Sequence, residues 1–239
     1  MGSNGNSGAK SGSMSGSKSG SVMVVGGGVA GVQAALDLVD LGLYVYLVEE
    51  LPSIGGVMAQ LDKTFPTQDC SLCILSPKLV EVSRSPNIKV ITRATLEKVE
   101  GEPGNFQCLV RQRPRYVDVE KCTGCGVCSV YCPTRIPDAY NERLCTTKAL
   151  HMEYPQAVPT AFSVDETTCL YLQNQECQQC VPTCKAGAID FSQKEALLSL
   201  DVGAVILAPG FGRLDPQVLG KLGYGRFPNV VTSVEFERI

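Results

Sequence analysis

Residues 121–133 read KCTGCGVCSVYCP, which places Cys122, Cys125, Cys128 and Cys132 at the spacing C-x2-C-x2-C-x3-C-P. Gaps of two residues let a short loop curl three thiolates around one iron–sulfur cube, while the fourth cysteine, at a helix start, turns toward a second cube. A second run supplies Cys169, Cys177, Cys180 and Cys184 as C-x7-C-x2-C-x3-C. Cross-ligation then assigns Cys122, Cys125, Cys128 and Cys184 to one [4Fe-4S] cluster, and Cys169, Cys177, Cys180 and Cys132 to the other. The competing reading is a pair of structural tetrathiolate zinc sites, although these usually pair two C-x2-C knuckles and need no fourth cysteine at x3. The x7 loop, and Pro182 standing before Cys184 instead of after it, leave a [3Fe-4S] centre open for the second run.

The chain has 239 residues, of which 12 are cysteine and one is histidine, and a formal charge of −3. That length allows one or two domains of roughly 100–200 residues each. The charge gives no basic patch for nucleic acid. No apolar run approaches the ~20 residues that cross a bilayer, and no signal-peptide core is present at the N-terminus. A cytoplasmic protein is expected, in which thiols stay reduced, so the cysteines argue for metal and not for disulfides. His151 has no triad partners and reads as structural, and no nucleophile–base motif supports hydrolysis. Residues 1–21, rich in glycine and serine, cannot bury enough surface to offset their ordering entropy and are expected to form a disordered tail.

Ser21 to Val25 is a short β-prone run, followed by Gly26-Gly27-Gly28-Val29-Ala30-Gly31, an apolar helical pattern over Val29 to Leu41, a stop at Gly42 and a second apolar run from Leu43 to Val48. In this β-turn-α-β unit Gly26 allows the bend, Gly28 lets backbone amides approach a pyrophosphate, and Gly31 lets helix and strand pack closely. Glu49 follows at the end of the second strand, where an acid accepts from the adenosine ribose hydroxyls. Gly55-Gly56 just beyond resembles the flavoproteins of the thioredoxin reductase type, which favours FAD over NAD. Strands are expected at Ile88–Ile91, Thr95–Val99 and Asn105–Arg111, with Gly101 to Gly104 as the turn between the last two. DVGAVILAPG, residues 201–210, reads as a buried strand running into a turn at Gly210. It resembles that family's closing A-T-G strand, with Pro209 replacing the threonine.

Four cysteines lie outside the two runs. Cys108 falls in an expected strand as a small buried hydrophobe, and Cys145 in a loop as a non-ligand. Cys70 and Cys73 admit three readings: half of a further cluster site, a redox pair beside the flavin, or two cysteines at a helix start.

The cysteine runs fall between strands that belong to the dinucleotide domain. The expected division is therefore a tail over 1–21, the first part of an FAD-binding domain over 22–114, an inserted two-cluster ferredoxin-like α+β module over 115–190, and an incomplete return segment over 191–239. The fold class is α/β, a Rossmann-like FAD-binding domain of the thioredoxin reductase type.

VGGGVAGVQAALDL, EELPSIGGVMAQLDKTFPTQDCSLCILSPKLVEV, PRYVDVEKCTGCGVC and YPQAVPTAF together resemble the heterodisulfide reductase A-type family, over nearly all of 22–239. The resemblance implies a cytosolic iron–sulfur flavoprotein that passes electrons between FAD and cluster wires to partner proteins, in some members by flavin-based bifurcation. It places the dinucleotide glycines at Gly26, Gly28 and Gly31, the ribose acid at Glu49, and cluster ligands at the eight cysteines above. The family continues into further domains, so a truncated or split member is expected, with another chain completing the FAD site. The implied partners are heterodisulfide reductase B/C-like, hydrogenase or dehydrogenase subunits. Oxidised cubanes carry about −2 each, which favours partners with basic surfaces. A different class of function, a non-catalytic iron–sulfur docking or scaffold protein with an empty flavin site, is the alternative.

Overall fold

The computed structural model describes residues 20–212 and 216–239; the expected tail, apart from its last two residues, lies outside the described residues. Chain order runs β1 (Ser21–Val25), α1 (Val29–Asp40), β2 (Tyr44–Val48), a 3-10 turn at Gly56–Gln60, α2 (Ser71–Arg84), β3 (Ile88–Ile91), β4 (Ala94–Glu102) and β5 (Asn105–Gln112). The cysteine segment follows with α3 (Val127–Val130), β6 (Arg135–Pro137), β7 (Thr146–Lys148), β8 (Leu150–His151), β9 (Ser163–Val164), α4 (Leu170–Asn174) and α5 (Cys180–Thr183). The chain then returns through β10 (Ala196–Val202), β11 (Ala204–Leu207), a 3-10 stretch and α6 (Ser233–Arg238).

β1, β2, β3 and β11 form a parallel sheet in the order β11-β1-β2-β3, while β10, β5 and β4 form an antiparallel one. The strands of the parallel sheet read almost continuously apolar, Ser21 and Lys89 apart, because both faces of the inner strands β1 and β2 are covered. Val24, Val45 and Leu47 pack toward buried residues of α1 and α2, and Met23, Tyr46 and Val48 toward Cys108, Val110 and Val202 of the antiparallel sheet. α2 buries Leu75, Leu79 and Val82, one stripe at helical spacing. Gly42 closes α1 in a left-handed conformation (φ 81°), its N–H donating to Val39 O at 2.8 Å.

Two details differ from the sequence expectation. Ser21, shared by the expected tail and the expected first strand, belongs to β1 and not to the tail: it is buried, and its hydroxyl donates to Asp201 O at 3.1 Å. The apolar run at 201–208 is not one strand, because Gly203 breaks it. β10 before the break pairs antiparallel with β5, and β11 after it pairs in parallel with β1. The residues expected in the flavin part on both sides of the cysteines thus share their sheets, with Ala196 opposite Gln112 and Leu207 opposite Val25.

Candidate cofactor sites

The glycine turn is built by three different constraints. Gly26 takes a left-handed φ of 108°, and a Cβ there would lie 2.1 Å from Ala208 O. A Cβ on Gly31 would lie 1.8 Å from Gly26 O, so only glycine lets α1 approach the turn this closely. At Gly28, by contrast, a Cβ would meet nothing within 4 Å. Gly28 caps α1, whose first-turn amides have no acceptor within the helix, so this open space is the positive end of a helix dipole. Open space in front of such amides fits a pyrophosphate.

Glu49, 9% exposed, sits at the end of β2 and accepts from Gly27 N at 2.6 Å and Leu51 N at 2.8 Å. Burial pushes its carboxyl above the usual glutamate range, against the lowering effect of those amides. The Glu50 amide also bonds this carboxylate, which still keeps a further acceptor direction, and Glu49 borders a cleft of about 780 Å³. Gly26, Gly28, Gly56, Thr95, Leu96, Pro209 and Gly210 border the same cleft. Gly55 and Gly31 do not. Gly55 acts by packing, since a Cβ there would lie 2.5 Å from the Tyr154 hydroxyl, while its N–H donates to Gly27 O at 2.7 Å.

The cysteine segment is stitched to this turn. Ile54 N donates to Val158 O at 2.9 Å, the Tyr154 hydroxyl donates to Ile54 O, and the Tyr140 hydroxyl donates to Ala59 O. Arg115, 7% exposed, donates to Ala161 O and Phe162 O on one side and to Pro52 O and Thr92 Oγ1 on the other. Burial lowers its guanidinium to about 10, well above neutrality, so the charge persists. Tyr140, Tyr154, Ala139 and Glu153 of the segment border the cleft together with the glycine turn.

The cysteines gather in two quartets. Cys128 has Cys184, Cys122 and Cys125 as its thiol neighbours, and burial first, then these thiols, push its own thiol up to about 12. Cys180 has Cys169, Cys132 and Cys177 around it and is pushed up to about 11, again mainly by burial. Cys132, Cys169, Cys177 and Cys180 also line one small cavity with Leu150, Val164 and Phe191. Converging thiols that oppose one another's ionisation are a donor set which a cationic iron–sulfur core neutralises. Among the described residues no group of three Cys, His, Asp or Glu side chains is placed to hold a single metal ion. Backbone donation supports the set: Ala188 N donates to Cys184 Sγ at 3.3 Å, and the Val127 amide, then the Thr123 hydroxyl, hold the exposed Cys125 thiol below its usual range.

Residues 21–101 match the family of FAD dependent oxidoreductases, and residues 115–138 match the 4Fe-4S binding domain. The A subunit of the H(2):CoB-CoM heterodisulfide,ferredoxin reductase of Methanothermobacter marburgensis is 46% identical over 217 residues, covering 91% of this chain and 32% of that one. An iron-sulfur A subunit of the CoB--CoM heterodisulfide reductase of Methanopyrus kandleri is 50% identical over the same length, with the same coverage. The chain is a homologue of the heterodisulfide reductase A subunit.

This homologue spans about a third of the length of the curated relatives it matches. Its fold is an FAD-binding Rossmann-like α/β domain with a 4Fe-4S ferredoxin domain. None of its described helices is long and apolar enough to cross a membrane. Cys70 and Cys73 form a disulfide at the start of α2, where Cys70 Sγ accepts from Cys73 N at 3.2 Å, so the expectation of no disulfide is corrected at this pair. The spacing suits a helix N-terminus, where Sγ of the first cysteine can cap the amide three residues on. Cys108 is fully buried in β5, and Cys145 is exposed with its thiol 3.8 Å from Asp138 Oδ2. His151 Nε2 lies 3.7 Å from Glu153 Oε1. Sequence reasoning missed Arg115, Tyr140 and Tyr154 as site residues; Tyr154 begins the YPQAVPTAF strip that carried part of the resemblance, and its role is to bind the turn after β2.

Proposed function

We propose that this homologue of the heterodisulfide reductase A subunit is an electron-transfer unit that works between FAD and two [4Fe-4S] clusters. FAD and the clusters, when bound, would supply two-electron and one-electron chemistry respectively. The observation that carries the reading is the seam: the segment bearing both thiol quartets supplies Tyr140 and Tyr154 to the same cleft that the glycine turn and Glu49 border. Gly28 and the α1 N-terminus would take the pyrophosphate, and Glu49 the ribose hydroxyls. Gly26, Gly31, Gly55 and Gly56 shape the turn, and Gly210 closes the cleft beyond β11. Cys122, Cys125, Cys128 and Cys184 would hold one cluster, and Cys132, Cys169, Cys177 and Cys180 the other.

The relatives' names carry a CoB-CoM heterodisulfide and, in one case, ferredoxin. We place this chain in a cytoplasmic complex of that kind, with redox proteins bearing basic surfaces as partners. Leu207 and Phe211 border the cleft yet are 68% and 62% exposed, which suits further polypeptide covering the flavin from that side.

Anaerobic purification followed by flavin and iron analysis tests the reading. About one FAD and about eight irons per chain are expected for two cubanes. Full iron with no flavin even in excess FAD would favour the docking alternative, and a colourless zinc protein would end both.

A further inference from the structure

The cleft does not belong to the dinucleotide fold alone. Ala139, Tyr140, Glu153 and Tyr154, all from the segment between β5 and β10, form part of its wall. The Tyr140 ring stacks on that of Tyr154 with centroids 5.3 Å apart and an interplanar angle of 20°. Arg238 lies over the Tyr140 ring at 4.8 Å and donates to Gln60 O at 3.3 Å. Gln60 in turn donates to Tyr140 O at 2.8 Å. Tyr140 is thus held from three directions: by Tyr154 beside it, by the 3-10 turn through Ala59 and Gln60, and by α6 through Arg238.

The segment that presents Tyr140 has a small core of its own. Val117, Cys128, Leu150, Phe162, Val164 and Ala188 are its buried members, and Cys122, Cys132, Cys169, Cys180 and Cys184 pack around them. A core bounded by cluster thiols owes much of its order to whatever joins those thiols, because metal-binding free energy is folding free energy where the site does not survive unfolding. Tyr154, with Tyr140 against it, packs in the dinucleotide core, and Met152 packs against both that core and the thiol-bounded one, so loosening the thiols reaches the wall through Met152 and the shared chain. Where one ligand orders an element that a second ligand needs, the two binding free energies are linked, and the linkage is reciprocal.

We propose that the cysteine segment is a structural wall of the flavin site, with Tyr140 as the positioning residue, so that FAD affinity rises when the clusters assemble and cluster retention rises when FAD is bound. The inference rests on the function proposed above. Tyr140 acts by filling and stiffening the cleft, and no proton or electron is assigned to it.

The test is anaerobic titration of the whole chain with FAD, read by flavin fluorescence and absorbance, with iron and sulfide assayed in parallel. Stripping iron with a chelator is expected to weaken FAD binding about tenfold or more, within the range typical of linked sites. Tyr140→Ala is expected to weaken FAD binding with iron retained, while Tyr140→Phe, which keeps the stack and loses only the bond to Ala59 O, stays near wild type. Saturating FAD is expected to slow iron release from the wild-type chain to a chelator. Equal FAD affinity with and without clusters, or an unchanged affinity in iron-replete Tyr140→Ala, overturns the proposal. If Tyr140→Ala also sheds its iron, the wild-type release rate decides: slowing by FAD supports the linkage, and an unchanged rate overturns it. A cluster-loaded wild-type chain that takes up no FAD at all defeats the flavin reading itself, a result distinct from failure of the coupling alone.

Discussion

Gln112 and Ala196 face each other at the end of the β5–β10 ladder, and the whole cysteine segment leaves and rejoins the sheet at that one rung. The end of a hairpin is where new polypeptide can enter without breaking ladder bonds. What turns this tether into a fixed mount is the second set of attachments further in, from Arg115, Tyr140, Tyr154 and the Ile54–Val158 bridge. A fixed mount holds the thiol quartets at constant distance from the cleft, as the electron transfer proposed above would need.

Gly28 and Gly31 separate binding from folding. Gly31→Ala drives a Cβ onto Gly26 O and is expected to destabilise the chain by about 1–3 kcal/mol, as overpacking does. Gly28→Ala meets only open space, at a φ of −71° that alanine accepts, so it should cost no more than the poorer N-cap, less than Gly31→Ala, while FAD affinity falls. Denaturant melts and FAD titration of the two variants check this, and a Gly28→Ala as destabilised as Gly31→Ala with normal FAD binding would contradict it.

Cross-ligation predicts which cluster each serine substitution harms. Cys184→Ser should perturb the cluster shared with Cys122, Cys125 and Cys128, and Cys132→Ser the one shared with Cys169, Cys177 and Cys180. Electron paramagnetic resonance of the reduced variants should show one altered and one intact signal in each case, and different ones in the two. The same signal altered in both would refute the assignment.

Glu49 should titrate above an ordinary glutamate, because burial outweighs its bonds from Gly27 N and Leu51 N. A proton on Glu49 would set an O–H against one of those N–H donors, so the amide resonances of Gly27 and Leu51 should move together with a raised midpoint. The sign for stability follows: a carboxyl whose folded pKa lies above its unfolded value favours the folded chain as pH falls through the folded pKa, and disfavours it as pH rises. Glu97 runs the other way, since the hydrogen bond from Arg111 holds its carboxyl low, and its contribution is present above the unfolded value and lost as pH falls through the folded one. Amide midpoints at or below about 4.3, the unperturbed glutamate value, would count against a raised Glu49.

Arg115→Leu removes the donor from Pro52 O, Ala161 O, Phe162 O and Thr92 Oγ1 at once. Leaving buried acceptors without a partner costs about 1–3 kcal/mol each, only partly offset by the relief of burying a guanidinium, so a loss of about 3 kcal/mol is expected. Limited proteolysis should then cut near the β5–β10 junction. A variant as stable and as resistant as wild type would show that the seam does not depend on this residue.

The parts legible in the sequence are the ones written locally. The glycine turn, α1 and the acid after β2 lie within one short stretch, and each obeys a rule of backbone geometry that its neighbours display. The cysteine spacing is local in the same way. Tyr140 and Tyr154 carry no such mark: their partners Ala59 and Ile54 lie 81 and 100 residues away, and a tyrosine that bonds a distant carbonyl looks like any other. Gly203 was hidden for a different reason, since residues on both sides of it are apolar and only the pairing shows that they serve different sheets. At Cys70 and Cys73 the spacing was compatible with several chemistries, and only the side-chain geometry joins them.

The seam's acceptors on the dinucleotide side include three main-chain carbonyls, those of Pro52, Ile54 and Ala59. A carbonyl is the same whatever side chain its residue bears. Apart from buried Ile54 and Gly55, which are fixed by their own packing, the loop after β2 can therefore accept substitutions that keep its path without losing its hold on Arg115, Tyr154 and Tyr140, whereas those three side chains cannot be exchanged for residues lacking the same reach. Tolerance to mutation should be lopsided across the boundary: wider at the acceptor positions of the loop that keep some exposure, such as Pro52, and narrow at the few side chains that grip them.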